Sequence, residues 1–309
     1  MSSQDRLVAS RPALEESPDL SGLGFRSLTG AHGLESGPSW SLYREATRTW
    51  WRAARRALFH SVIPSKRTQQ VVRSHYDHIW SPDNAAFVRE RDNVREIYRH
   101  GTQLVRADGW HLYQAYIELI SETLVRLGAS SVLEVGAGRG KNLALLALKN
   151  PHVKLTGIEL TPTGVARSRE LVAAIPEKFL TVAGVSTSDA RNADALRRIE
   201  FVEGSALAMP FADRTFDASF TCLVLEQLQQ HLPQVLTEMR RVTSGYCVFI
   251  EAFHEANTPL GRAYLRSRDY FRARYRSFAE HGLEPVYFTT AMPQKLRFRT
   301  GLLVARVRQ

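Results

Sequence analysis

Val132-Leu133-Glu134-Val135-Gly136-Ala137-Gly138-Arg139-Gly140-Lys141-Asn142 is the stretch whose reading decides the fold. An apolar run enters glycines at every second position and then residues 141–149, whose leucines and alanines suit a helix. Glycine lets the chain turn tightly and lets a ligand approach the main chain with no Cβ in the way. The helix start beyond it offers unpaired N–H groups and the positive end of a dipole. Glu134 stands two residues ahead of the first glycine, so the turn is E-x-G-x-G-x-G and not the G-x-G-x-x-G of dinucleotide sites. A carboxylate there suits an adenosyl amino acid better than a pyrophosphate, whose charge it would oppose.

Outward from this turn, the hydrophobic period switches repeatedly between strand and helix. Strands are predicted over residues 131–135, 153–160, 199–203, 216–223 and 246–252, with helices over 141–149 and 163–174, and further β-rich runs at 285–289 and 301–307. Strands alternating with helices imply right-handed crossovers. The predicted fold class is therefore α/β, a doubly wound, mostly parallel seven-stranded Rossmann-like sheet with an N-terminal helical extension. Residues 1–39, rich in Ser, Gly and Pro, read as a disordered leader. Residues 40–63 read as a basic, Trp-rich amphipathic helix, 64–127 as a helical cap on the substrate side, and 128–309 as the binding domain, with an insertion at 176–198 and a basic lid segment at 255–277.

Three further stretches add chemistry. Gly157-Ile158-Glu159-Leu160 closes the second strand on a carboxylate placed to accept from ribose hydroxyls. Phe201-Val202-Glu203-Gly204-Ser205-Ala206-Leu207 closes the third and is followed by Met209-Pro210-Phe211, and Phe216-Asp217-Ala218-Ser219-Phe220 forms the fourth. This ordered set resembles class I S-adenosylmethionine-dependent methyltransferases, and most closely the small-molecule group similar to ubiquinone and menaquinone C-methyltransferases. The resemblance spans roughly residues 110–255. It implies S-adenosylmethionine as cofactor, with a loop of Gly136, Ala137, Gly138 and Gly140 passing under its methionine part and Glu134 near the ammonium group. It also implies that Glu159 and Leu160 lie at the ribose, Ser205 and Ala206 at the adenine, and Leu223 in the segment closing over the cofactor. The family commonly carries an acid where this chain has Ser205, and often His where it has Gln227.

An acceptor hydroxyl needs a base within reach. His254, just past the fifth strand, and Glu226, after the fourth, are the candidates taken forward; Glu251 and His231 are alternatives. Tyr76 and Trp80 are placed to reach over the cofactor. No His, Cys, Asp or Glu set has a metal-ligand spacing. The implied partner is a small-molecule methyl acceptor, an anionic one being favoured by the arginines and aromatics of 255–277. An RNA- or protein-directed methyltransferase and a non-catalytic binding protein of the same fold remain open.

The net charge of +10 is carried by the ends: residues 1–70 hold +4 and residues 255–309 hold +7, while the middle is nearly neutral. In 40–63 the face bearing Trp40, Tyr43, Trp50, Trp51 and Leu58 adjoins one bearing Arg44, Arg48, Arg52, Arg55 and Arg56. That pattern fits peripheral contact with an anionic membrane surface, or packing of the aromatic face on the protein itself. The 2 cysteines favour a reducing compartment, and no apolar run is long enough to span a bilayer or, near the N-terminus, to act as a secretory signal. A cytoplasmic protein is expected.

Overall fold

The computed structural model describes residues 18–21, 23, 35–36, 40–60, 68–84, 95–100, 103–185 and 190–308. Most of the expected leader lies outside these residues, as do the last three positions of the expected 40–63 helix and residues 186–189 of the insertion.

In chain order the elements are β1 (Glu35–Ser36), α1 (Trp40–His60), α2 (Gln69–Trp80), β2 (Arg95–His100), β3 (Gln103–Asp108), α3 (Gly109–Arg126), β4 (Ser131–Val135), α4 (Lys141–Lys149) and β5 (Lys154–Glu159). They continue with α5 (Pro162–Ala173), α6 (Glu177–Ala183), α7 (Ala190–Arg197), β6 (Glu200–Glu203), β7 (Phe216–Cys222), α8 (Leu232–Val242) and β8 (Thr243–Glu251). The chain ends with α9 (Pro259–Ser267), β9 (Leu283–Thr289), β10 (Gln294–Lys295) and β11 (Gly301–Val307).

The main sheet has seven strands in the order β6-β5-β4-β7-β8-β11-β9. Strands β6, β5, β4, β7 and β8 run parallel, and only β11 runs against its neighbours. Strands buried on both faces must be apolar throughout, which is why β4 and β8 read as nearly unbroken hydrophobic runs. Their side chains alternate between two cores. Val132, Val248, Ile250, Leu302 and Val304 pack with α3 and α4, whereas Leu133, Phe249, Leu303 and Ala305 pack with α8 and Phe278. Burying Phe220, Phe249 and Phe253 removes large apolar surfaces from water, about 2–3 kcal/mol each.

The strand order reverses at β4, with β5 on one side and β7 on the other. Ligands of open α/β sheets bind at such a switch point, beyond the carboxyl ends of the strands. Asp217 sets this point: its Oδ2 accepts from the Ser130 and Ser131 N–H groups, each at 3.0 Å, fixing the start of β4 against β7.

The expected helical cap over 64–127 requires correction. Helices α2 and α3 are present, but between them β2 and β3 pair antiparallel, and β1 and β10 extend them to a four-stranded sheet. Both faces of this hairpin are covered: Tyr98, Val105 and Ala107 lie on the face toward the main core, and Ile97 and Leu104 on the face toward α1. The charged residues between them masked its period. The basic 255–277 segment is α-helical only over α9, and its last three residues begin a 3-10 helix, Tyr275–His281. Helix α8, β10 and the first three residues of β8 are additions to the sequence reading.

Helix α1 docks differently from expectation. Its alanine side packs inward, Ala46 against Ile97 and Leu104, and Ala53 against Tyr264, Leu265 and Phe298. Trp50 is half-buried and its Nε1 donates to the Leu296 carbonyl at 3.2 Å. The rest of the aromatic face stays in solvent: Trp40 is 90% exposed, Trp51 65% and Leu58 76%.

Candidate cofactor and acceptor site

A cavity of about 550 Å³ opens at the switch point. Its floor is the glycine turn. Gly136, Gly138 and Gly140 all adopt positive φ (78°, 58° and 74°), which L side chains rarely do. A Cβ at Gly136 would lie 2.7 Å from the Val224 methyls, and one at Gly138 3.3 Å from the Trp80 ring. Gly140 has a different task. It caps the start of α4 behind the lining, where a Cβ would meet Phe201 at 2.9 Å.

Glu159 organises the turn from β5. Its Oε2 accepts from the Gly138 N–H at 3.0 Å, and its Oε1 accepts from the Thr161 N–H at 3.1 Å and hydroxyl at 2.8 Å. Thr161 in turn accepts from the Gly164 N–H and caps α5. One carboxylate thus fixes the loop apex and the next helix start. Burial shifts its pKa upward, against these stabilising donors.

Glu134 is 1% exposed and lies behind the lining. Asn142 Nδ2 donates to its Oε1 at 2.6 Å, while its Oε2 is buried with no hydrogen-bond partner among the described residues. Burial pushes its pKa up to about 8. The neighbouring Lys141 is also buried, its ammonium over the Tyr113 ring at 3.6 Å and the Trp110 ring at 4.0 Å.

Helix α2 forms the roof, and Tyr76 and Trp80 both line the cavity beneath it. It is tied down at both ends: Gln69 Nε2 donates to Ser205 Oγ at 2.5 Å, and Arg167 Nε donates to the Trp80 carbonyl at 3.2 Å. Ser205 also accepts from the Leu207 N–H at 3.1 Å, so its hydroxyl shapes the turn after β6 as well as facing the cavity.

The wall opposite is the segment after β7. Leu223 leaves the strand with φ of 58°, a strained conformation for a branched side chain. Glu251, fully buried at the end of β8, holds the segment in place: its Oε1 accepts from the Val224 and Leu225 N–H groups at 2.9 and 3.1 Å. Burial pushes its pKa up to about 8. Glu251 is therefore a positioning group behind the wall, outside the lining.

The cavity brings together Gly136, Ala137, Gly138, Glu159, Leu160, Ser205, Ala206, Leu223 and Glu226. It does not include His254. That residue lies past β8, where its N–H donates to the Ala273 carbonyl at 3.0 Å and its own carbonyl accepts from Arg262 at 3.1 Å. Burial and the nearby Arg262 and Arg274 lower its pKa. The expectation that His254 faces the acceptor is corrected on this geometry.

Several lining residues escaped the sequence reading. Glu96, Tyr98, Tyr113, Tyr116 and Lys295 face the cavity from the small sheet and α3, beside Tyr270 of the expected lid segment. Tyr116 reaches Thr300 at 3.2 Å, and burial drives the Tyr98 and Tyr116 phenols above their ordinary pKa, so both are protonated donors at neutral pH. The signal of Glu96, Tyr98 and Lys295 was absent because β2 and β10 were not recognised. Gly157 also went unnoticed: a Cβ there would lie 2.6 Å from Leu143 and 2.7 Å from Ala137. Among the described residues no His, Cys, Asp and Glu group could hold a metal ion.

Residues 133–249 match a family described as methyltransferase domain. Among solved structures, the chain is similar to the (4+2)-cyclase SpnF, at 19% identity and a TM-score of 0.56, covering 80% of this chain and 98% of that one. It is also similar to magnesium protoporphyrin IX methyltransferase from Synechocystis PCC 6803. The form with bound S-adenosylmethionine gives 11% identity and a TM-score of 0.51, covering 77% and 96%. The form with bound S-adenosylhomocysteine gives 12% and 0.50, covering 78% and 100%. At these identities the likeness to solved structures establishes the fold.

Proposed function

We propose that this chain, whose residues 133–249 match a methyltransferase domain, is a class I S-adenosylmethionine-dependent methyltransferase and that it methylates a hydroxyl or carbon of a small molecule: a glycan precursor, a lipid-linked compound or a secondary metabolite. The observation that carries this reading is that one cavity joins the glycine turn to a chamber of tyrosines, Glu96, Glu226 and Lys295. Small-molecule sites combine apolar walls with a few convergent polar groups in this way.

The chain suits its cofactor on its own geometry. The unpartnered Glu134 Oε2 is an acceptor awaiting a donor such as an ammonium. The turn has glycine where a Cβ would crowd Val224 and Trp80. Glu159 keeps accepting capacity beyond its present bonds, since a carboxylate offers about four lone-pair sites. When bound, the cofactor supplies a methyl group already activated as a sulfonium.

The residues of the chain then have to orient the acceptor and manage its proton. Tyr98 and Tyr116, held protonated, donate hydrogen bonds to acceptor oxygens. Glu226, in the segment after β7, accepts the proton released from a hydroxyl. Helix α2 and Trp80 exclude water above the turn. Tritium transfer from methyl-labelled S-adenosylmethionine into fractionated metabolite pools tests the reading. We expect a labelled small molecule with the native chain and a fall in kcat of about 100-fold for Glu226→Gln, cofactor affinity being kept. Label appearing only in RNA or protein, or none in any pool while the cofactor binds, would sink it.

We also infer that α1 rests on an anionic membrane surface. No helix of the described residues is long and apolar enough to cross a membrane, so any such contact is peripheral. The inward alanine face leaves Trp40, Tyr43, Trp51 and Leu58 in solvent beside Arg44, Arg48 and Arg55, the composition of an interfacial helix. Trp40→Ala with Trp51→Ala is expected to weaken co-sedimentation with phosphatidylserine vesicles by about tenfold or more. Equal sedimentation of this variant and the native chain would remove the lipid contact.

A further inference from the structure

Two smaller cavities lie beside α1 and are unused by the chemistry above. The outer one, about 310 Å³, is lined by Arg52, Arg55, Arg56, Arg268 and Arg297 with Ala53 and Tyr264, and by no carboxylate. None of these five guanidinium groups has an acidic partner among the described residues. Arg55 lies over Trp51 at 5.6 Å and Arg268 over Tyr264 at 5.7 Å, contacts that orient the groups without neutralising them. The Nε–H groups of Arg56 and Arg268 are buried and donate to no partner among the described residues. Burying such a donor unsatisfied is costly unless a ligand oxygen completes it.

The middle cavity, about 400 Å³, shares Arg52, Tyr264 and Arg297 with the outer one. It shares Glu96 and Lys295 with the cavity above the glycine turn. Its acids are Glu45, which pairs with Arg106 at 2.9 Å, and Glu96. A chain of lining residues therefore connects the cofactor end to the arginine end.

We propose that the arginine pocket seats a phosphoryl or diphosphate group carried by the methyl acceptor, whose reactive end extends past Lys295 and Glu96 to the cofactor cavity. This rests on the methyltransferase reading and narrows its acceptor to a phosphorylated compound. Planar guanidinium forks match phosphate oxygens two at a time, and this many cations around one cavity favour a multiply charged anion over a lone carboxylate. The volume equals that of about ten waters at roughly 30 Å³ each, which accommodates a diphosphate. The phosphoryl group belongs either to a soluble metabolite or to a lipid headgroup presented where α1 meets the membrane.

Calorimetry of the full chain with inorganic pyrophosphate, and separately with S-adenosylhomocysteine, tests this. Pyrophosphate is expected to bind and to lose about tenfold or more in affinity on Arg56→Gln or Arg268→Gln, while S-adenosylhomocysteine binds all three proteins alike. Arg297→Lys, which keeps charge and removes the fork, should lie between. Unchanged or absent pyrophosphate affinity across the series overturns the site and leaves the methyltransferase reading intact. Loss of S-adenosylhomocysteine binding by the native chain strikes the methyltransferase reading instead. Vesicles carrying phosphatidylinositol phosphate distinguish the source. Binding that depends on Arg56 and Arg268 and outcompetes pyrophosphate assigns the group to lipid, and equal competition by soluble phosphomonoesters assigns it to a metabolite.

Discussion

Glu159→Ala is expected to lower affinity for S-adenosylmethionine by at least about 100-fold while leaving a cooperative melting transition. The carboxylate accepts three hydrogen bonds in the ligand-free fold, from the Gly138 N–H and from both donors of Thr161. Hydrogen bonds to a charged group contribute about 1.5–3 kcal/mol each, and about 1.4 kcal/mol is a factor of ten. Losing the Gly138 bond frees the loop apex that must face the cofactor, and losing the Thr161 bonds loosens the start of α5. Ribose hydroxyls would lose their acceptor at the same time. The main sheet does not depend on these bonds, because β5 keeps its ladders to β4 and β6. Glu159→Gln retains the shape and one acceptor, so its loss should be smaller, about tenfold. Calorimetric titration of the three proteins decides it. An alanine variant within threefold of native affinity would show that the loop is held by other means and that the ribose lies elsewhere.

The position of this residue at the cavity was legible in the sequence because it depends on local order: a strand end, a carboxylate, and a helix start directly after it. The glycine turn was legible for the same reason. Parallel strands buried on both faces announce themselves as apolar runs, which is how β4, β5, β7 and β8 were found. The acceptor side was not legible. Lys295 and Tyr98 reach the cavity through the pairing of β10 with β2, a contact between segments far apart in the chain. The β2–β3 hairpin mixes Arg95, Glu96 and Arg99 with Ile97 and Tyr98, so its period-two signal is weak. His254 was attractive because it follows a strand end, yet strand ends place only the backbone, and its main chain is bound to Ala273 and Arg262 instead. The docked face of α1 was misread because two alanines are small in any hydrophobicity count. They nevertheless let the helix approach α9 and the small sheet closely, and they leave the tryptophans outside.

The second large effect concerns the proton on Glu134. Its pKa is about 8 in the fold against 4.5 ordinarily, because burial disfavours the charge and only Asn142 offsets it. From roughly pH 4.5 to pH 8, therefore, the folded chain keeps a proton that the unfolded chain has released. Stability falls as pH rises through that window, by up to about 1.4 kcal/mol per pH unit for one such group. Glu251, also raised to about 8 by burial, acts in the same direction. His254, lowered by burial and two arginines, acts oppositely below its ordinary value near 6.5, so the decline is clearest between there and pH 8. An ammonium seated at the unpartnered Oε2 reverses the balance at Glu134 alone, since an adjacent cation favours the carboxylate. Cofactor binding near pH 7 should then release up to about one proton, and the release should vanish well above pH 8, where the group is already ionised. Calorimetry in two buffers of different ionisation enthalpy counts that proton directly. Glu134→Gln should abolish the release, weaken binding by about tenfold or more, and stabilise the ligand-free chain near pH 8. A native chain that binds the cofactor with no proton change, or a glutamine variant that still releases one, would remove Glu134 from the ammonium site. Its buried oxygen would then be a cost of the fold with no return in binding.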